Sequence, residues 1–328
     1  MKTSRIILNA AIVVALGTQF PIEALAQAAA PAPAPAKPVA AKAVAVQRTF
    51  ATPEEAVTAL VSAVRAKDIN ALLAIVGPQS SSWLFTGDNV ADANDWAKFA
   101  AAYEKKHDLR KEGDAKRILE VGDDAWPFPA PLVMKGKAWS FDANAGRDEI
   151  VNRRVGRNEL DAIQTLLAIV DAQREYAAKD VDGNGYADYA KRFRSTPGKK
   201  DGLYWADDSG KAPSPLGPLV AIAAKEGYGK QPKADSSAQA PYHGYHYKIL
   251  TSQGKDAKGG AYDYLVGDKL IGGFAVVAWP ANYRISGVTT FLVNHDGVVF
   301  EKDLGAQTAS MASAMTRFNP DATWRKAE

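Results

Sequence analysis

The sequence predicts an α+β fold, and three observations carry that reading. Apolar residues recur at helical spacing from residue 52 onward. One long amphipathic stretch occupies the middle of the chain, and the last third breaks into short β-rich runs between glycine turns. The expected architecture is a helical N-terminal domain with a small antiparallel sheet, followed by a long helix packed on a second antiparallel sheet. The expected boundaries are 1–26 for a signal peptide, 27–48 for an Ala/Pro-rich tether, 49–145 for the first domain and 146–328 for the second.

Lys2 and Arg5 precede an apolar run from Ile6 to Gly17 that is too short to span a bilayer, and Ala24-Leu25-Ala26 has the small-x-small form of a cleavage site. The pattern predicts export to the periplasm or medium, with the mature chain starting at Gln27. Cleavage removes Lys2, Arg5 and Glu23, which takes the formal net charge from +3 to +2. So balanced a chain carries no electrostatic footprint for nucleic acid. No later apolar run is long enough to span, so no transmembrane segment is expected in the mature chain. Cysteine is absent. In an oxidising compartment the fold must then rest on apolar burial, with no disulfides to help.

Thr52-Pro53-Glu54-Glu55 is a helix start: a capping hydroxyl, proline at the first helical position and acidic residues at the positive end. Asp68 opens a second helix that closes at Gly77-Pro78. A third covers roughly 92–106, with Trp96, Phe99 and Tyr103 on one face as core. Strands are expected at 117–121, 132–134 and 138–141, the last two joined by a hairpin at Gly136. From Arg147 to about Lys179 the chain is helical, with Leu160, Ile163, Leu167 and Val170 as its buried seam, widened by Leu166 and Ile169. A short helix is expected at 219–226, then strands at 242–250, 261–266, 274–279, 288–294 and 298–301. His295-Asp296-Gly297 makes the late hairpin, and Met311, Met315 and Phe318 mark a closing helix.

The stretch 180–188 carries the clearest chemistry. Asp180, Asp182, Asn184, the Tyr186 carbonyl and Asp188 fill positions 1, 3, 5, 7 and 9 of a calcium loop of the EF-hand kind, with Gly185 at position 6. Position 12 is Lys191, which cannot coordinate a cation. Weak calcium binding is the expectation, with Asp201, Asp207 or Asp208 available to complete the shell. The competing reading is a tight turn, for which Asp, Asn and Gly are equally suited. His243 and His246, three apart on an expected strand, point to opposite faces and so share no zinc site. Ser252-Gln253-Gly254-Lys255 matches Ser-x-x-Lys without the companion motifs of penicillin-binding enzymes. Tyr242, Tyr245, Tyr247, Tyr262 and Tyr264 suit cross-strand packing better than a recognition face.

Several segments together resemble a known family. They are Gly156-Arg157-Asn158-Glu159-Leu160, Asp171-Ala172-Gln173-Arg174-Glu175-Tyr176, Asp182-Gly183-Asn184-Gly185-Tyr186, Gly202-Leu203-Tyr204-Trp205, Pro241-Tyr242-His243-Gly244-Tyr245 and Asp296-Gly297 with Lys302-Asp303-Leu304-Gly305. The set resembles the exported bacterial proteins grouped as domain of unknown function 2950, from about Phe50 to the end. That resemblance implies an envelope protein and supplies no catalytic residue. The C-terminal half also resembles the globular part of type IV pilins and pseudopilins, although its long helix begins after another domain instead of at the mature N-terminus. The function expected is a non-enzymatic binding or scaffolding module of the cell envelope, its partner an envelope protein or polymer. The alternatives are a hydrolase of an envelope polymer, or an accessory subunit of a pilus or secretion system.

Overall fold

The computed structural model describes residues 46–206, 213–229 and 240–327. The signal-peptide segment, the tether as far as residue 45, and Asp207 and Asp208 lie outside the described residues.

Helix α1 (Pro53–Ala66) starts where its cap predicts: the Thr52 hydroxyl accepts from the Glu55 amide at 3.2 Å, and Glu55 reaches back to the Ala51 amide at 3.1 Å. Helix α2 (Ile69–Val76) is capped by Asp68, which accepts from the Ala71 amide at 3.0 Å. After the single turn α3 (Ser81–Leu84) comes α4 (Asn89–Lys105), which is capped by Asp88 and starts three residues before the expected position. Strands β1 (His107–Lys111), β2 (Lys116–Val121), β3 (Trp126–Pro127), β4 (Leu132–Lys135) and β5 (Ala138–Phe141) form an antiparallel sheet in which β1, β2, β4 and β5 are successive neighbours and β3 pairs with β2. The β4–β5 hairpin turns at Gly136, as predicted. Helices α1 and α2 pack Leu60, Leu72 and Ile75 against Leu119, Leu132 and Phe141 to make the first core.

Helix α5 (Ala143–Ala177) runs through two cores. Its first turns pack beside the N-terminal sheet. Gly146 is there because a Cβ would sit 2.5 Å from the Pro129 carbonyl oxygen, so only glycine permits this approach. Its second half lies on the C-terminal sheet, whose order is β15 (Arg325–Lys326), β13 (Phe300–Asp303), β12 (Thr289–Asn294), β11 (Ala275–Pro280) and β6 (Tyr245–Leu250), all antiparallel. Strand β11 is buried on both faces: Val276 and Ala278 meet α5, while Ala275 and Val277 meet a second layer. That layer contains α7 (Thr308–Ala314) and a small sheet of β7 (Ser252–Gln253), β8 (Tyr262–Asp263) and β14 (Arg317–Phe318). Strands β9 (Leu265–Val266) and β10 (Lys269–Leu270) form a separate hairpin, and α6 (Gly217–Glu226) is the short helix expected at 219–226.

Two expectations are corrected. The α5 seam is rotated: Leu160 is 64% exposed and Ile163 and Leu167 are half-buried, whereas Leu166, Ile169 and Val170 are buried as expected and Ala162, Gln173 and Tyr176 are buried beside them. The reason is polar burial. Gln173 exchanges two 2.9 Å hydrogen bonds with the Ala190 backbone, so a polar residue holds a core position that a search for leucines passes over. The closing helix also ends at Ala314, and Phe318 packs from strand β14 instead.

Candidate functional site

Helix α4 is the least completed packing surface among the described helices that carry large aromatics. Of its 17 residues only Asp92 is buried, while Trp96, Phe99 and Tyr103 are half-buried against the first core. Beneath it lies a cleft of about 400 Å³, within the range of small-molecule sites. Its floor is the buried Leu60, Val64, Leu72 and Val121, and its walls are aromatic. Trp96 meets Phe85 edge-on at 5.7 Å, and Phe99 tilts against Phe128 at 5.3 Å.

One wall is α5, which contributes Ile150, Arg153, Arg154 and Arg157. Arg157 pairs with Asp95 at 2.9 Å. Arg153 pairs with Glu149 at 2.6 Å and lies over the Trp126 ring. Arg154 differs: its one hydrogen bond is to the Trp83 carbonyl at 2.7 Å, and it forms no ion pair among the described residues. Burial pushes the Arg154 guanidinium down from its ordinary pKa; the charges of Asp92 and Asp95 pull it back up, and Arg157 pushes it further down. Trp83 is 1% exposed, and its indole N–H is buried without a partner. Asp92 is committed elsewhere. Its carboxylate accepts from the Thr86 amide at 3.0 Å and the Thr86 hydroxyl at 2.8 Å, and burial raises its pKa more than those bonds lower it. The cleft therefore combines a large apolar surface with an unpartnered indole N–H and a guanidinium outside any ion pair among the described residues, and its carboxylates are already engaged.

The Asp180 loop is held by its own hydrogen bonds. Asp180 accepts from the Asn184 and Gly185 amides, both at 2.9 Å, Asn184 accepts from the Tyr186 amide at 3.0 Å, and the Asn184 side chain donates to Asp188 at 3.1 Å. Asp182, Asn184 and Asp188 share a hollow of about 130 Å³ with Asp201, but Lys191, Arg192 and Lys269 line it too. Asp201 is paired with Arg192 and receives both Thr196 donors. Tyr186 is half-exposed with Lys269 over its ring. Among the described residues no three His, Asp or Glu side chains are placed to hold one metal ion.

The segments behind the family resemblance form joints. His243 is not on a strand. With Gly244 it makes the two positive-φ residues of a tight turn between Tyr242 and Tyr245. A Cβ on Gly244 would meet the Asn158 amide nitrogen at 2.6 Å. The His243 ring lies 3.2 Å from Asp161 and 3.1 Å from Glu226, the latter without the alignment of a hydrogen bond. Asp88, besides capping α4, accepts from the Tyr228 hydroxyl at 2.8 Å and the Gly244 amide at 3.1 Å. Glu159 accepts from the Val288 and Thr289 amides, and Asn158 donates to the Ser286 carbonyl. Ser252 donates to the Thr316 carbonyl, so its hydroxyl is engaged with backbone. Tyr245, Tyr247 and Tyr264 are core residues.

Sequence reasoning missed the cleft. Its lining comes from five helices, strands β2 and β3 and residues 128–129, and the available signal was the Arg153-Arg154/Arg157 cluster one turn beyond the apolar Ile150. No helix among the described residues is long and apolar enough to cross a membrane. No curated protein and no solved structure matches the chain, so the pilin-like resemblance is not confirmed. A family model described as a protein of unknown function, DUF2950, matches residues 47–327. The chain belongs to that family.

Proposed function

We propose that this protein is an exported, non-enzymatic binding protein of the cell envelope, and that its ligand is a small molecule with an apolar body seated beneath α4. The cleft of about 400 Å³ with its aromatic walls is the observation that supports this reading. The half-buried Trp96 and Phe99 gain further burial when something fills the space beside them, and a preformed apolar concavity is where burial yields most per contact. The hydrolase alternative gains little support from the cleft, because Asp92 is bound to Thr86 and Asp95 to Arg157. The test is titration with N-phenylnaphthylamine, a neutral fluorophore that brightens in apolar surroundings. Saturable binding to the native chain is expected, weakened about tenfold by Ala102→Phe, which fills the cleft. Absence of binding, or binding indifferent to that substitution, would contradict the reading.

Calcium at the Asp180 loop is a second proposal, favoured by the hollow that Asp182, Asn184 and Asp188 share with Asp201. The cation would have to displace local hydrogen bonds, which fits the weak affinity that the missing twelfth ligand already implies.

A further inference from the structure

We infer that the cleft selects anionic amphiphiles: an apolar body of modest size carrying one anionic head, a carboxylate or phosphate, held by Arg154 and the Trp83 indole. The inference rests on the cleft being the binding site and adds the chemical class of what it takes. Three features support it. The cleft-lining side chains include four cations, Lys98, Arg153, Arg154 and Arg157, against two carboxylates, Asp92 and Asp95. Both carboxylates are engaged, as are Arg153 and Arg157. The groups left with unused capacity are donors: the Trp83 N–H, and a guanidinium that makes one bond out of the five its nitrogens can donate. Both residues line the cleft, and Arg154 donates to the Trp83 backbone carbonyl at 2.7 Å.

A half-buried guanidinium with no ion pair among the described residues has donor capacity to spare for an anion, and the buried, unpartnered Trp83 N–H is costly to leave unmet. One anionic head placed between them would offer both an acceptor, while the apolar chain lies on Leu60, Leu72 and Phe99. A cationic head would meet the arginines and lose affinity by repulsion.

Displacement of N-phenylnaphthylamine from the native chain by ligands of equal chain length tests this. Decanoate and decyl phosphate should compete at concentrations about tenfold below decanol, the size of effect expected of a hydrogen bond to a charged group. Decyltrimethylammonium should be the weakest competitor. Arg154→Gln should abolish the preference for the anions and leave decanol unchanged. Trp83→Phe keeps the aromatic body and loses only the N–H, so it reports on head-group capture even if the arginine variant fails to fold; its decanoate affinity should fall severalfold with decanol unaffected. If the fluorophore binds but decanol and decanoate compete equally, or neither variant changes their ratio, the head-group assignment is overturned and the cleft reading survives. If the fluorophore does not bind at all, both fall.

Discussion

The two ends of α5 serve cores of different kinds. Around Leu166 the helix lies on a sheet whose strand β11 is buried on both faces, and the polar side chain of Gln173 there exchanges hydrogen bonds with Ala190. Around Arg154 the same helix borders a cleft where aromatic rings are only half-buried, the Trp83 indole N–H lacks a partner and Arg154 makes a single hydrogen bond among the described residues. The first region has completed its packing within the chain. The second leaves apolar surface and donor capacity unused, which in a folded protein marks a place for another molecule.

Truncation should expose that contrast most strongly. Leu166→Ala, at a fully buried position, should cost about 2–5 kcal/mol in denaturant unfolding. Phe99→Ala should cost less than about 2 kcal/mol, because the ring already borders empty space. Equal losses would mean that the cleft is ordinary core.

Gln173→Ala should follow closely, at about 2–4 kcal/mol, since it orphans both the amide and the carbonyl of buried Ala190. A loss under about 0.5 kcal/mol would show that the polar core position is dispensable.

How much of this was legible in the sequence divides along the same line. The Thr52 and Asp68 caps, the Gly136 hairpin and the α+β layout follow from local rules, and local rules were enough. The α5 face was misjudged because Leu160 looks like core while Gln173 does not; which is buried depends on Ala190, a residue distant in sequence. The cleft was illegible for a similar reason. Leu60, Trp96, Phe128 and Arg154 are each unremarkable in their own segments, and only tertiary packing brings them together. The segments that signal the family lead instead to joints such as His243 with Asp161 and Glu226.

Calcium should have a smaller effect. With a dissociation constant of about 10⁻⁴–10⁻³ M, calcium at ten times that value should add about 1.4 kcal/mol, or roughly 3–6 °C in melting temperature. Magnesium should do less, and Asp180→Ala/Asp182→Ala should remove the effect. If calcium leaves the native melting point unchanged, the loop is a turn held by its own hydrogen bonds.

The smallest effect is a slope with pH. Burial raises the Asp92 pKa, so the folded chain holds that proton more readily than the unfolded one. The resulting stability is fully present below the ordinary carboxylate value and is lost as pH rises through the raised native one. Relative to Asp92→Asn, the native chain should therefore gain stability as pH falls from neutrality toward the ordinary carboxylate range. Parallel profiles from urea unfolding would show that Asp92 is solvated like a surface group.

The central claim is that a ligand binds beneath α4, and fluorine NMR of fluorotryptophan-labelled protein tests it most directly. The chain has seven tryptophans, and three of them, Trp83, Trp96 and Trp126, line the cleft. Trp139, Trp205, Trp279 and Trp324 do not line it. Decanoate or N-phenylnaphthylamine should shift the first three resonances and leave the other four in place. Shifts confined to the other four, or no shift at saturating ligand, would contradict the account.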